Sequence, residues 1–147
     1  MIELIATIGI TLSSLLLFAY WFRYTCLLIL SARTAKDYAL QVATENGLSF
    51  LEVQTQLRAP VMPELARLHA SLDRDYAVVA RLMTKVNGST VEARMLAIDY
   101  RLASAWYRVS RHFAVSSARQ ALEEMSMVVA HFANSVGESA ISAPAAA

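Results

Sequence analysis

Residues 2 to 22 read IELIATIGITLSSLLLFAYWF, a run so apolar that only a bilayer or a protein core can satisfy it. At ~1.5 Å rise per residue, about 20 helical residues cover the ~30 Å hydrocarbon core of a membrane. Glu3 stands at the outer end, where its charge reaches water. A cleavable leader carries a basic start and an A-x-A-like site behind a shorter apolar core, and this run has neither, so it reads as an uncleaved single-pass anchor.

The anchor has a direction. No Lys or Arg precedes the run, whereas Arg23, Arg33 and Lys36 follow it, and this asymmetry predicts a cell (inner) membrane protein with its N-terminus outside and its C-terminal domain cytoplasmic. Tyr20, Trp21 and Tyr24 around Arg23 form an interfacial belt, since their rings pair an apolar body with a polar tip. The belt puts the exit near Arg23 and the anchor at residues 1–24; a competing register over residues 9 to 30 would bury Arg23. Beyond the exit, Cys26 to Leu30 is apolar enough to need cover.

The remainder is patterned for an all-α fold. Four glycines and three prolines are few, and strand-type alternation is absent. With no breaker between Thr25 and Glu45, the membrane helix is expected to continue as a cytoplasmic stalk over residues 25–46, ending at Asn46-Gly47. Ser49 to Glu52 fits a capping box that opens a short helix. A long antiparallel helical hairpin then completes a domain over residues 47–137. Its first arm begins at Pro63 and carries the stripe Leu65, Leu68, Leu72, Tyr76, Val79, Leu82 and Val86.

Asn87-Gly88 forms the turn, and Ser89 to Glu92 is a second capping box. The second arm is expected to run from Thr90 to about Val136, with a core stripe of Val91, Met95, Ile98, Leu102, Ala105 and Val109 drifting on to Leu122, Met125, Val129 and Phe132. The drift favours a bundle over a strict long coiled coil. Residues 138–147, rich in Ala and Ser, read as a disordered tail.

Chemistry is sparse. The net charge of +1 does not suit a nucleic-acid binder. It hides a polarity, however: residues 89–119 carry five arginines against two acids, and residues 120–147 three acids and no Lys or Arg. Phosphate-loop, zinc and CxxC signatures are missing, and no two of His69, His112 and His131 share chelating helical spacing. No cofactor, metal, catalytic residue or small-molecule substrate is therefore expected. Lone Cys26 offers no internal disulfide.

Two rows at seven-residue spacing stand out: Arg67, Arg74 and Arg81 on one arm, Arg94, Arg101 and Arg108 on the other. Guanidinium groups favour bidentate anionic ligands, so the rows are candidate contacts for lipid headgroups or an acidic partner. The plainer reading is a solvated face with ion pairs, in which antiparallel arms set Asp75 opposite Arg101 and Glu64 opposite His112. These features point to a non-enzymatic, membrane-anchored helical scaffold, adaptor or accessory subunit that meets lipid and a protein partner or copies of itself. A filament or ring subunit is the alternative, and an enzyme acting on lipid headgroups the remotest one.

Overall fold

Six α-helices and no strand make up the described residues of the computed structural model, which are 1–31, 37–61, 64–88 and 90–142. The helices are α1 (Ile2–Ser31), α2 (Ala39–Asn46), α3 (Phe50–Arg58), α4 (Leu65–Asn87), α5 (Val91–Ser110) and α6 (Val115–Ser142). They fall into two compact units, Met1–Arg33 and Thr34–Ala147.

In the first unit, α1 is long and apolar enough to cross a membrane. From Ile2 to Leu17 every side chain is exposed, and a helix apolar on all sides is suited to lipid rather than water. Its threonine hydroxyls are satisfied within the helix: Thr7 Oγ1 donates to the Glu3 carbonyl at 2.8 Å, Thr11 to Thr7 at 2.8 Å and Thr25 to Trp21 at 2.9 Å. Such back-bonding spares these three hydroxyls the need for water. Cys26 is buried, while Leu27 and Leu28 stay exposed.

The second unit is organised around α6, which packs against α2, α3, α4 and α5. Its buried Leu122, Met125, Val128, Val129, Phe132 and Ala133 meet a core drawn from Phe50, Val53, Leu68, Leu72, Val79, Leu96 and Tyr107. Small residues let the helices approach: Ser110, Ala118 and Ala121 are all buried. Gly137 is the tightest case, because a Cβ there would collide with the Cβ of Tyr38.

Several sequence expectations change. The stalk over residues 25–46 does not run unbroken, since Asp37 and Tyr38 lie outside any helix and α2 belongs to the second unit. Polar groups take over there: Asp37 Oδ1 accepts from the Ala39 N–H at 3.0 Å, and Asn134 Oδ1 on α6 accepts from the Tyr38 N–H at 2.7 Å. The Gly47 stop holds. Gly47 adopts φ 63° and the Leu48 N–H closes on the Ala43 carbonyl at 2.9 Å, a left-handed cap that glycine takes without strain.

The capping boxes are used differently. Ser49 is the N-cap of α3, yet its side chain makes no capping bond; Asp75 of α4 accepts from the Ser49 N–H at 2.8 Å and the Ser49 hydroxyl at 3.3 Å. A buried carboxylate facing a helix N-terminus outcompetes the local box. The cap of α5 is Thr90, whose hydroxyl accepts from the Ala93 N–H at 3.1 Å. The expected start at Pro63 and the Ser89 cap lie outside the described residues.

The expected long second arm divides. Arg111, His112 and Phe113 form a turn, with the Ala114 N–H bonded to the Ser110 carbonyl at 2.7 Å, and α6 packs back on α5. No Gly or Pro marks this turn; packing both helices together compensates the lost helical hydrogen bonds. The tail begins later than expected, for α6 continues through Ser142; residues 143–147 lie outside the described residues.

Candidate functional site

The helices α4 and α5 meet through large polar and aromatic side chains. Tyr76 stacks on Tyr100 with ring centroids 3.9 Å apart and planes 6° from parallel, and His69 stacks on Tyr107 at 4.5 Å. Residue numbers rise on one helix as they fall on the other. Between the stacks, the Tyr100 hydroxyl donates to Asp73 Oδ1 at 2.8 Å and His69 Nε2 lies 2.9 Å from Ser104 Oγ. His69 Nδ1 is 3.6 Å from Asp73 Oδ2.

Burial decides how these groups titrate. It pushes the Tyr100 hydroxyl far above the tyrosine range, and the bond to Asp73 adds to the rise, so the phenol remains a donor. His69 is held below the ordinary histidine value mainly by burial; Asp73 opposes the shift, while Arg108 and Arg111 reinforce it. A neutral imidazole with Nδ1–H toward Asp73 leaves Nε2 to accept the Ser104 hydroxyl proton.

Serine, histidine and aspartate in this order also serve nucleophilic hydrolases. Ser104, however, is buried in the middle of α5, where backbone N–H groups are committed to helical bonds and none of that turn is free to receive an oxyanion. The Asp73–His69 separation also exceeds hydrogen-bond range. What the cluster can do chemically is clamp α4 to α5 through paired polar groups and stacked rings.

The two arginine rows do not converge on one site. Arg67 and Arg74 line a cleft of about 280 Å³ between α3 and α4, with Ser49, Glu52, Gln56 and Ser71. Arg74 there reaches Ser49 Oγ at 3.2 Å and lies 3.8 Å from Asp75. Arg81 is exposed and donates to the Ala77 carbonyl of its own helix at 3.3 Å. On α5, Arg94, Arg101 and Arg108 are all exposed, and the charges of Arg101 and Arg108 act on Tyr76 and His69. Asp75 does not pair with Arg101 as the sequence suggested, because it is buried at the start of α3.

The largest correction concerns α5 itself. Leu96, Asp99, Tyr100, Ala103, Ser104, Tyr107 and Ser110 face the core, whereas the expected core residues Val91, Ile98, Leu102 and Val109 are between 49% and 72% exposed. Ala105 is exposed too, and Trp106 stands beside them with Phe113 set edge-on at 6.0 Å. The arginine row runs along one border of this apolar stripe. Sequence reasoning found one stripe and missed the second, although Leu96, Tyr100, Ala103 and Tyr107 also recur at spacings of four and three.

Elsewhere, Tyr20, Trp21, Arg23 and Tyr24 are exposed on α1, with the Tyr20 and Tyr24 rings stacked at 6.4 Å. Arg119 was not anticipated: it donates to the Ala59 carbonyl at 2.9 Å and ties α6 to the end of α3. Among the described residues, no three His, Cys, Asp or Glu side chains are grouped as metal ligands would be. No protein-family model, curated protein or solved structure matches the chain.

Proposed function

We propose that the chain is a non-enzymatic scaffold or adaptor, held in a cell membrane by α1 and binding a protein partner through the outward stripe of α5. One observation carries the reading: a helix apolar on both sides has only one side covered by its own unit. An exposed row of Ile98, Leu102, Trp106 and Val109 costs solubility unless a partner covers it. Arg94, Arg101 and Arg108 along its border supply charges for an acidic or aromatic contact. Arg67, Arg74 and Arg81 on α4 are exposed toward headgroups or a second partner, Arg74 and Arg81 while also bonded to Ser49 and to the Ala77 carbonyl.

In this reading the C-terminal unit is cytoplasmic, supported by Arg23, Arg33 and Lys36 following the span, with the Tyr20–Trp21–Tyr24 belt at the headgroup level. A photo-crosslinking side chain at Leu102 in native membranes tests the binding face. Crosslinked adducts to protein are expected from Leu102 and few from Thr84 on α4; equal yields at the two positions would overturn the reading. Orientation is checked by protease access to the C-terminal unit in sealed inverted vesicles, where digestion is expected and protection would reverse the topology.

A further inference from the structure

We infer that the partner covering α5 is a second copy of this chain, paired in parallel through a short coiled-coil seam. This inference rests on the binding role assigned to that stripe and specifies its occupant. Val91, Met95, Ile98, Leu102, Ala105 and Val109 follow spacings of four, three, four, three and four, which is a strict heptad seam. All but half-buried Met95 are exposed, and they point away from the core-facing residues Leu96, Ala103 and Tyr107. A 3.5-residue period suits another helix with interlocking side chains. A bilayer surface imposes no such period.

The borders of the seam differ, and the difference selects the partner. One border holds Arg94, Arg101 and Arg108, each one position before Met95, Leu102 and Val109. The other holds exposed Glu92 and Trp106, each one position after Val91 and Ala105; Asp99, one position after Ile98, is turned into the core. In a parallel pair, a residue on the first border meets the second border of the copy five positions further on. Arg101 then lies over Trp106 of the second copy, a cation against an indole face. An antiparallel pair sets the arginine rows against each other. The helix is thus complementary to itself in one direction only.

The 20 residues of α5 offer fewer than three heptads, so the seam alone is weak. Copies held in one membrane plane by α1 meet at raised effective concentration, which suits a short seam. The opposing reading, a bilayer-lying helix, would carry cations on both borders of the apolar face. Here one border is arginine and the other acidic and aromatic.

The test uses full-length protein in native membranes with Cys26→Ser as background and single substitutions Ile98→Cys, Leu102→Cys, Ala105→Cys and Val109→Cys, oxidised and resolved without reductant. Ala77→Cys and Thr84→Cys, exposed on α4, report random collision. Parallel pairing predicts homodimer disulfides at all four seam positions and few at the two α4 positions. Disulfides at a single central seam position would mean antiparallel pairing and overturn the inference.

Seam yields no higher than those of the α4 controls would overturn it too. If the Leu102 photo-crosslinker then still captures another protein, the scaffold reading survives without the second copy; if it captures none, both fail. As a second measurement, Leu102→Lys is expected to weaken dimerisation about tenfold or more, equivalent to ~1.4 kcal/mol or more. Unchanged helical circular dichroism is expected alongside, since Leu102 is exposed in the single chain. Unchanged dimerisation would count against the seam.

Discussion

Helices α5 and α6 adjoin in the chain and pack on each other, yet one is finished and the other is not. On α6, buried residues recur from Ala118 to Gly137 around most of the circumference, because α2, α3, α4 and α5 surround it. On α5, the residues buried against the same core occupy one side, and an equally apolar side faces outward. Periodicity records that a face is apolar. Which neighbour covers it depends on how many helices the chain can supply, and this chain places them around α6.

The comparison breaks most sharply under matched truncations. Leu122→Ala on α6 removes a side chain with no exposure and is expected to cost ~2–5 kcal/mol, counting lost transfer energy and the cavity left behind. Leu102→Ala on α5 removes a side chain that is 56% exposed and should change single-chain stability by about 0.5 kcal/mol or less. Denaturant titration of both variants in micelles, at concentrations too low for self-association, measures the contrast. A Leu102→Ala loss as large as that of Leu122→Ala would mean that α5 is covered within one chain.

Close approach sharpens the same contrast at the far end of α6. A Cβ at Gly137 would meet Tyr38 Cβ and lie within 3.2 Å of Val42 Cγ2, both on the segment that opens α2. Gly137→Ala is therefore expected to destabilise by ~1–3 kcal/mol, although alanine is the better helix former. Thermal unfolding checks the sign. A stabilised variant would show that α2 can withdraw from α6 at no cost.

What was legible in the sequence followed from local chemistry. The helical class, the apolar span and the Asn46-Gly47 stop each depend on residues adjacent in the chain, and each is present. What was not legible depended on residues far apart. Asp75 displaces the Ser49 capping box from 26 positions away, and Asn134 receives the Tyr38 N–H across 96 positions. The turn at Arg111 to Phe113 lacks a breaker because tertiary packing, not local propensity, sets it. At the candidate site the arginines on α5 were recognised, but the orientation of their helix was not: two apolar stripes compete, and the stacked Tyr76–Tyr100 and His69–Tyr107 rings hold the second one inward.

The smallest expected effect is a pH dependence at the borders of α5. His69 on α4 and His131 on α6 both titrate below the ordinary histidine value, chiefly through burial; Glu92 of α5 opposes the shift at His131, as Asp73 does at His69. A lowered folded-state value means that the unfolded chain takes up protons first as pH falls. The contribution is fully present above the unfolded value of ~6.5 and is lost as pH drops from there through the folded values. The melting temperature should therefore decline between about pH 7 and pH 5.5, before most carboxylates titrate. His131→Gln and His69→Gln together should flatten that decline by removing both imidazoles. An unchanged slope in the double variant would mean that neither histidine stays shielded from protons, and that the α4–α5 and α5–α6 contacts are looser than the stacked His69–Tyr107 pair implies.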